Sequence, residues 1–433
     1  MNSRSAARRR RGLSAGVACV AAGILASLAA SAAPFAVSPE GQQAGAPDLG
    51  VNGRGELALL WVDRSPQAAA GAAGDRHVAL TDVYVAVSRD GGARFGEPVR
   101  VNRESGAVWG QPVSRPRIAG APNGSWHVSY AANEVSPQSG KAILATHYTR
   151  SVDGGRSFET PRRLSALAAQ DLSGSLHGGF ASAAAFGTLA VARDGRVHVL
   201  WIDTRDMTAE SNSAALYAAE SGDDGASFGE PARLVETGVC PCCQLMATPG
   251  PDSALMVGSR KVTPEGLRPA TVARLASPVR APLGRVEIGG APWRIEGCPL
   301  KPTVVAAQDD RVLAAAHNGA EEPAAVLLSR SADGGRSFSS LGPVHPGAAV
   351  SDAPSIATNG RVVLLAWHAK LDGPRRVFHR LYDLSGNPLS PVREIAAQPG
   401  PAQSPAVAVR PDGDFQIAWQ QGTRIWTDVI PGR

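Results

Sequence analysis

The sequence predicts an all-β fold of repeated four-stranded units closed into a β-propeller, and three observations carry that prediction. An octapeptide recurs four times, as Ser88 to Phe95 (SRDGGARF), Ser151 to Phe158 (SVDGGRSF), Ser221 to Phe228 (SGDDGASF) and Ser331 to Phe338 (SADGGRSF). A turn followed by a strand recurs seven times, starting at Gly55, Gly124, Gly195, Asp252, Asp310, Gly360 and Gly413. The composition, with 48 Gly and 33 Pro in 433 residues, favours short strands and turns over long helices.

The seven starts are 69, 71, 57, 58, 50 and 53 residues apart. A period near 60 allows about four strands per unit. Each unit reads as an inner strand, a second strand often ending in an aromatic (Trp61, Tyr130, Trp201, Trp367, Trp419), a third strand, a hairpin and an outer strand. The octapeptide fills the hairpin in units one, two, three and five. Its Asp can accept backbone N–H groups, and its Gly takes a conformation other residues resist. Units four (LASPVRAPLGRVEI) and six (LYDLSGNPLSPVREI) keep the strands without the consensus. The seventh unit stops at Ile430 after three strands, so Phe35 to Ser38 is expected to supply its outer strand and close the ring.

The octapeptides resemble the Asp boxes (BNR repeats) of the sialidase superfamily, from about residue 35 to the end of the chain. That resemblance implies a sialidase-like propeller. The family usually has six blades, so six is the alternative to the seven units counted. Asp boxes join third to fourth strands and therefore share one rim. Loops joining second to third strands, and the links between blades, share the opposite rim, where propeller ligand sites gather.

The N-terminus opens with Arg4 and Arg8 to Arg11, continues with an apolar stretch from Leu13 to Ala30 and reaches Ala30-Ser31-Ala32. This is the pattern of a signal peptide over residues 1–32 followed by one propeller domain over 33–433, secreted or periplasmic. No later apolar run is long enough for a membrane helix. The net charge of +5 comes from five arginines in residues 1–32, and the remainder balances 38 basic against 38 acidic residues. That balance argues against a nucleic-acid partner. The expected partners are a glycan or a periplasmic or extracellular protein.

Four of the five cysteines lie after residue 32, in two inter-blade links. One link reads Cys240-Pro241-Cys242-Cys243 and the other Trp293-Arg-Ile-Glu-Gly-Cys298-Pro299. Neighbouring links on one rim can bring these cysteines together. One reading is a disulfide staple, perhaps from Cys298 to one of the cluster. The other is a thiolate site for Cu(I) or Zn(II), with His177 as a further ligand, or a redox-active pair. The two segments are similar to a branch of secreted sialidase-like proteins.

The resemblance also implies what an exo-α-sialidase would need: an arginine triad for a sugar carboxylate, and a Tyr nucleophile with its Glu. Arg64, Arg205 and Arg260 follow equivalent second strands, Tyr130 ends another with Glu134 beyond it, and Asp203 completes the candidate set. An Asp203–Arg205 surface pair is the alternative reading of those two. His127 and His198 fall within strands and read as packing residues, whereas His317 and His368 reach the site rim.

Overall fold

A computed structural model describes Met1 and residues 33–64, 80–168, 180–207, 213–251, 254–275, 282–347 and 350–433. The described residues form 28 strands in seven antiparallel four-stranded sheets, and no described segment is an α-helix. Blade I comprises Ala44–Val51, Leu57–Arg64, Thr81–Ser88 and Val99–Arg100. Blade II comprises Arg117–Gly120, Trp126–Val135, Ala142–Ser151 and Arg162–Arg163. Blade III comprises Ala184–Val191, Val197–Asp203, Ala214–Ser221 and Ala232–Val239, and blade IV Met246–Pro249, Leu255–Arg260, Ala270–Leu275 and Pro282–Ile288. Blade V comprises Thr303–Gln308, Arg311–Asn318, Ala325–Ser331 and Ser339–Pro343. Blade VI comprises Val350–Thr358, Val362–Lys370, Arg375–Asp383 and Arg393–Ile395. Blade VII comprises Ala402–Val409, Phe415–Gln421, Arg424–Ile430 and, as its outer strand, Phe35–Ala36. The count is therefore seven rather than six, and the ring closes through the N-terminal strand.

Blades stack because their second strands carry large apolar side chains into the interfaces. Trp61, Trp126, Trp201, Trp367 and Trp419 are fully buried. A buried indole N–H needs an acceptor. Trp61 donates to Gln42 Oε1 (2.9 Å), Trp201 to Asp203 Oδ2 (2.8 Å) and Trp419 to Gln421 Oε1 (3.1 Å).

The four octapeptide hairpins share one hydrogen-bond scheme. The Gly N–H donates to the Ser Oγ at 2.8–2.9 Å, and the Ser hydroxyl donates to the Asp. The Asp Oδ1 accepts the N–H four residues on, from 2.8 to 3.0 Å. In blade VI, Asp383 accepts the N–H of Ser385 and Asn387, and the Asn387 amide also reaches back to it, so the scheme outlives the consensus. The box glycine has φ between 76° and 92° in all four copies, and at Gly155 a Cβ would fall 2.5 Å from Val87 of the preceding blade. Arginines then tie neighbours together. Arg89, Arg150 and Arg274 each donate to the carbonyl of the fourth box residue of the next blade, Gly154, Asp224 and Gly334, at 2.6–2.7 Å.

At the centre of the ring, inner strands of blades I, III, VI and VII are bulged, with Ala46, Phe186, Ala353 and Ser404 at φ between 48° and 56°. Bulges with non-glycine residues in the left-handed region turn backbone groups out of the ladder. These groups receive buried side chains. Arg115 donates to the carbonyls of Pro47 and Pro405 (3.2 Å each), while Gln244 donates to Arg115 O (2.7 Å).

Burial lowers the pKa of His368 and of His379 to about 4. Both are neutral in the fold, whereas the unfolded chain protonates them below about pH 6.5. Stability is therefore complete above pH 6.5 and falls as pH drops towards 4, by about 3 kcal/mol per histidine. Denaturant melts at pH 7 and pH 4.5 are expected to show this loss, and His379→Gln to flatten it; an equally steep profile in the variant would contradict the assignment.

Candidate functional site

The inter-blade links place the four cysteines together. Val239 ends the outer strand of blade III, and Cys240 N–H donates to Arg260 O (2.8 Å), fixing the link against the second strand of blade IV. Cys242 and Cys243 follow, and Leu245 N–H donates to Phe186 O (2.9 Å) before the inner strand of blade IV begins. The link from blade IV to blade V is pinned where Arg268 N–H donates to Trp293 O (2.7 Å). That contact brings Cys298 over the first link.

Cys242 and Cys298 form a disulfide with a Cα–Cα distance of 6.2 Å, bridging 56 residues of chain. Cys240 and Cys243 remain thiols, both buried. Their sulfurs are 3.6 Å apart, and Cys240 Sγ is 3.8 Å from Cys242 Sγ. The three sulfurs of the CPCC segment lie within 4.8 Å of one another. His177 falls outside the described residues.

The two thiols are electrostatically unequal. Burial opposes ionisation of Cys243, but the Cys240 thiol donates to it, Arg260 is nearby, and the N–H groups of Lys301 and Leu300 point at it; the balance lowers its pKa. The same hydrogen bond, with burial, raises that of Cys240. The hydrogen bond between them thus favours ionisation at Cys243 over Cys240.

The residues implied for sialidase chemistry each have partners of their own, apart from Arg64. Tyr130 is buried in mid-strand, where burial raises its phenol pKa, and it packs against His147. Glu134 accepts from His147 Nε2 (2.7 Å) and Arg163 Nη1 (2.8 Å), and these partners hold it below its usual range. Arg205 donates to Asp203 Oδ2 (2.5 Å), and its guanidinium lies 4.3 Å from the Tyr217 ring centroid. Asp203 also accepts the Trp201 indole, so this acid is a structural partner. Arg64 is exposed at the end of its strand. Arg260 is buried and donates to Arg268 O (2.6 Å) and His317 O (2.7 Å).

The structure brings out a polar centre that strand signatures do not announce. Arg115 is buried over the bulged strands, and burial, with repulsion from Arg117, lowers its pKa to about 10. Asp352 pairs with Lys301 and lies 3.8 Å from His368 Nε2. The available signal was an x-Pro step inside or just before several inner strands, Ala46-Pro47, Lys301-Pro302, Ala353-Pro354 and Ser404-Pro405.

The repeated hairpin scheme and the closed ring decide the comparison. The chain folds as a seven-bladed β-propeller, and solved structures of similar fold match it. An ulvan lyase of polysaccharide lyase family PL25 aligns with a TM-score of 0.55 and 11% identity, over 93% of this chain and 96% of that one. A protein of unknown function from Dyadobacter fermentans aligns with a TM-score of 0.52 and 15% identity, over 81% and 98%. The Hadza microbial sialidase Hz136 aligns with a TM-score of 0.49 and 15% identity, over 81% and 73%. No family model and no curated protein matches the sequence. Among the described residues of this propeller, no helix is long and apolar enough to cross a membrane.

The disulfide closes a long loop, and loop-closure entropy sets its contribution. Cys298→Ser is expected to lower unfolding free energy by about 2–4 kcal/mol. Urea titration of wild type and variant checks this; a loss within about 0.5 kcal/mol, the usual range for surface changes, would contradict a structural bridge.

Proposed function

We propose that this chain is an extracytoplasmic sialidase-like propeller that binds a ligand or partner on its cysteine-bearing rim, with the Cys240–Cys243 dithiol as its reactive centre. One observation carries the reading: four cysteines from two links converge, and two stay thiols 3.6 Å apart beside a formed bridge. A pair serving only as a staple has no need of one ionisable member. The chemistry is thiol–disulfide exchange. Both thiols are buried, so the exchange is internal: one of them, once ionised, attacks Cys242 of the adjacent bridge to form a new disulfide, and Cys298 leaves as a thiol.

The ligand class that fits a propeller rim is a glycan or an extracellular protein. The glycan is supported by the similarly folded ulvan lyase, whose structure is bound to -[GlcA(1-4)Rha3S]-. Export through residues 1–32 agrees with a bridge that persists only in an oxidising compartment. A soft-metal reading is favoured by the three sulfurs within 4.8 Å, which suit Cu(I) or Zn(II) once the bridge is reduced. The exo-α-sialidase reading is disfavoured by Tyr130 and Glu134, each committed to packing or ion pairs.

Two measurements test the proposal. Thiol titration of denatured protein starting at residue 33 is expected to find two thiols without reductant and four after reduction. Zero before reduction would mean two staples and no reactive dithiol. Four would remove the bridge and move the site to the metal reading, which Cu(I) competition against a chromophoric chelator would measure. A fluorogenic sialoside is expected to give no turnover, and turnover abolished by Arg205→Ala would overturn the reading.

A further inference from the structure

We propose that the crevice between blades IV and V is a binding site for a small organic carboxylate, held by Arg260 and Arg268. The crevice is a cavity of about 250 Å³ lined by both arginines, by Glu287 and Ile288 at the end of the outer strand of blade IV, by Gly289 to Pro292 of the link that follows, and by His317, Asn318 and Ser329 of blade V. Its volume lies below the range of drug-sized pockets and suits a ligand of monosaccharide size. Exposed Gly290, Ala291 and Pro292 form its mouth.

The argument begins with charge. Arg260 and Arg268 are 2% and 3% exposed, and no described carboxylate pairs with either guanidinium. A buried guanidinium stays charged, so it needs hydrogen-bond partners and a counter-charge. Arg260 uses two N–H groups on backbone carbonyls, and its Nε has no partner. Arg268 makes one long bond to Gly297 O (3.4 Å), leaving Nε and Nη1 without partners. The Ser329 hydroxyl on the opposite wall is buried and unpartnered as well. Leaving such donors unmatched costs about 1–3 kcal/mol each, more where charged. With no described carboxylate beside them, the two cations leave uncompensated positive charge, which an anion in the cavity offsets. A planar carboxylate matches the guanidinium fork. Glu287 also lines the cavity, but its carboxylate is engaged by Lys261 Nζ at 3.0 Å.

This site is distinct from a carboxylate clamp at the mouth of the central channel. Both arginines come from one hairpin of blade IV, Arg64 and Arg205 take no part, and no residue of an inner strand lines the cavity. It is also independent of the dithiol chemistry, although Arg260 links the two.

The test uses the propeller from residue 33 and D-glucuronate, with D-glucose as the neutral control and sulfate as the inorganic anion. In ¹⁵N spectra of the wild-type protein, the Nε–H signals of Arg260 and Arg268 are expected to shift saturably with glucuronate and not with glucose. By calorimetry, Arg268→Gln is expected to weaken glucuronate binding at least tenfold, Arg268→Lys to weaken it less, and the exposed Arg94→Ala to leave it unchanged. If Arg268→Gln fails to fold, the wild-type arginine signals decide. Equal response to glucose, sulfate binding as strongly as glucuronate, or no arginine shift at all would each overturn the assignment.

Discussion

The pairing of the N-terminal strand with the last strand of the chain is the constraint on which the rest depends. Phe35 and Ala36 lie opposite Thr427 and Trp426, Val37 N–H donates to Ile425 O (2.9 Å), and Ile425 N–H donates to Ser38 Oγ (2.9 Å). Without this strand blade VII would present an open edge, and a propeller held by blade-to-blade packing would have two free faces. Closure forces every inter-blade link onto the same rim. The two cysteine links are thereby placed on either side of blade IV, within reach of one bond. Sequence distance is converted into spatial proximity by ring geometry alone.

The rim is also where the fold accepts polar burial. Around the Asp boxes, polar groups are satisfied locally: each Asp gathers N–H and hydroxyl donors from its own turn, and Asp153 is drawn to about 2 by its bonds to Ser157 and Ser151 against a desolvation penalty. Around the cysteines the partners are incomplete. A thiol, two guanidinium groups and a serine hydroxyl share the space between blades III, IV and V with unmet hydrogen-bonding capacity.

The fold was largely legible because its signals are local. The Ser-x-Asp-x-Gly-x-x-Phe hairpins report their own turns, and the aromatic ends of the second strands report their own burial. Even the closing strand was legible, since a three-stranded final unit lacks an outer partner. The Cys242–Cys298 bridge was readable as one member of a short set of pairings, but which sulfur of the cluster pairs depends on three-dimensional placement. Arg268 carried no signal, because a lone arginine after a leucine reads as an ordinary surface residue until the link of blade IV folds over it. Arg205 shows a related limit: sequence gives the residue type at a strand end, while the Tyr217 ring it meets lies on the neighbouring strand. Arg115 is a similar case, since its bonds to Pro47 and Pro405 are contacts between blades that no local pattern encodes.

The central claim is that one cluster holds a bridge and a free dithiol together. A crystal structure with diffraction recorded at a wavelength sensitive to sulfur anomalous scattering measures this directly. The account predicts fused density for Cys242 and Cys298, with separate peaks for Cys240 and Cys243 about 3.6 Å apart. Density joining Cys240 to Cys243, or Cys298 standing apart from all three cysteines of the CPCC segment, would contradict it.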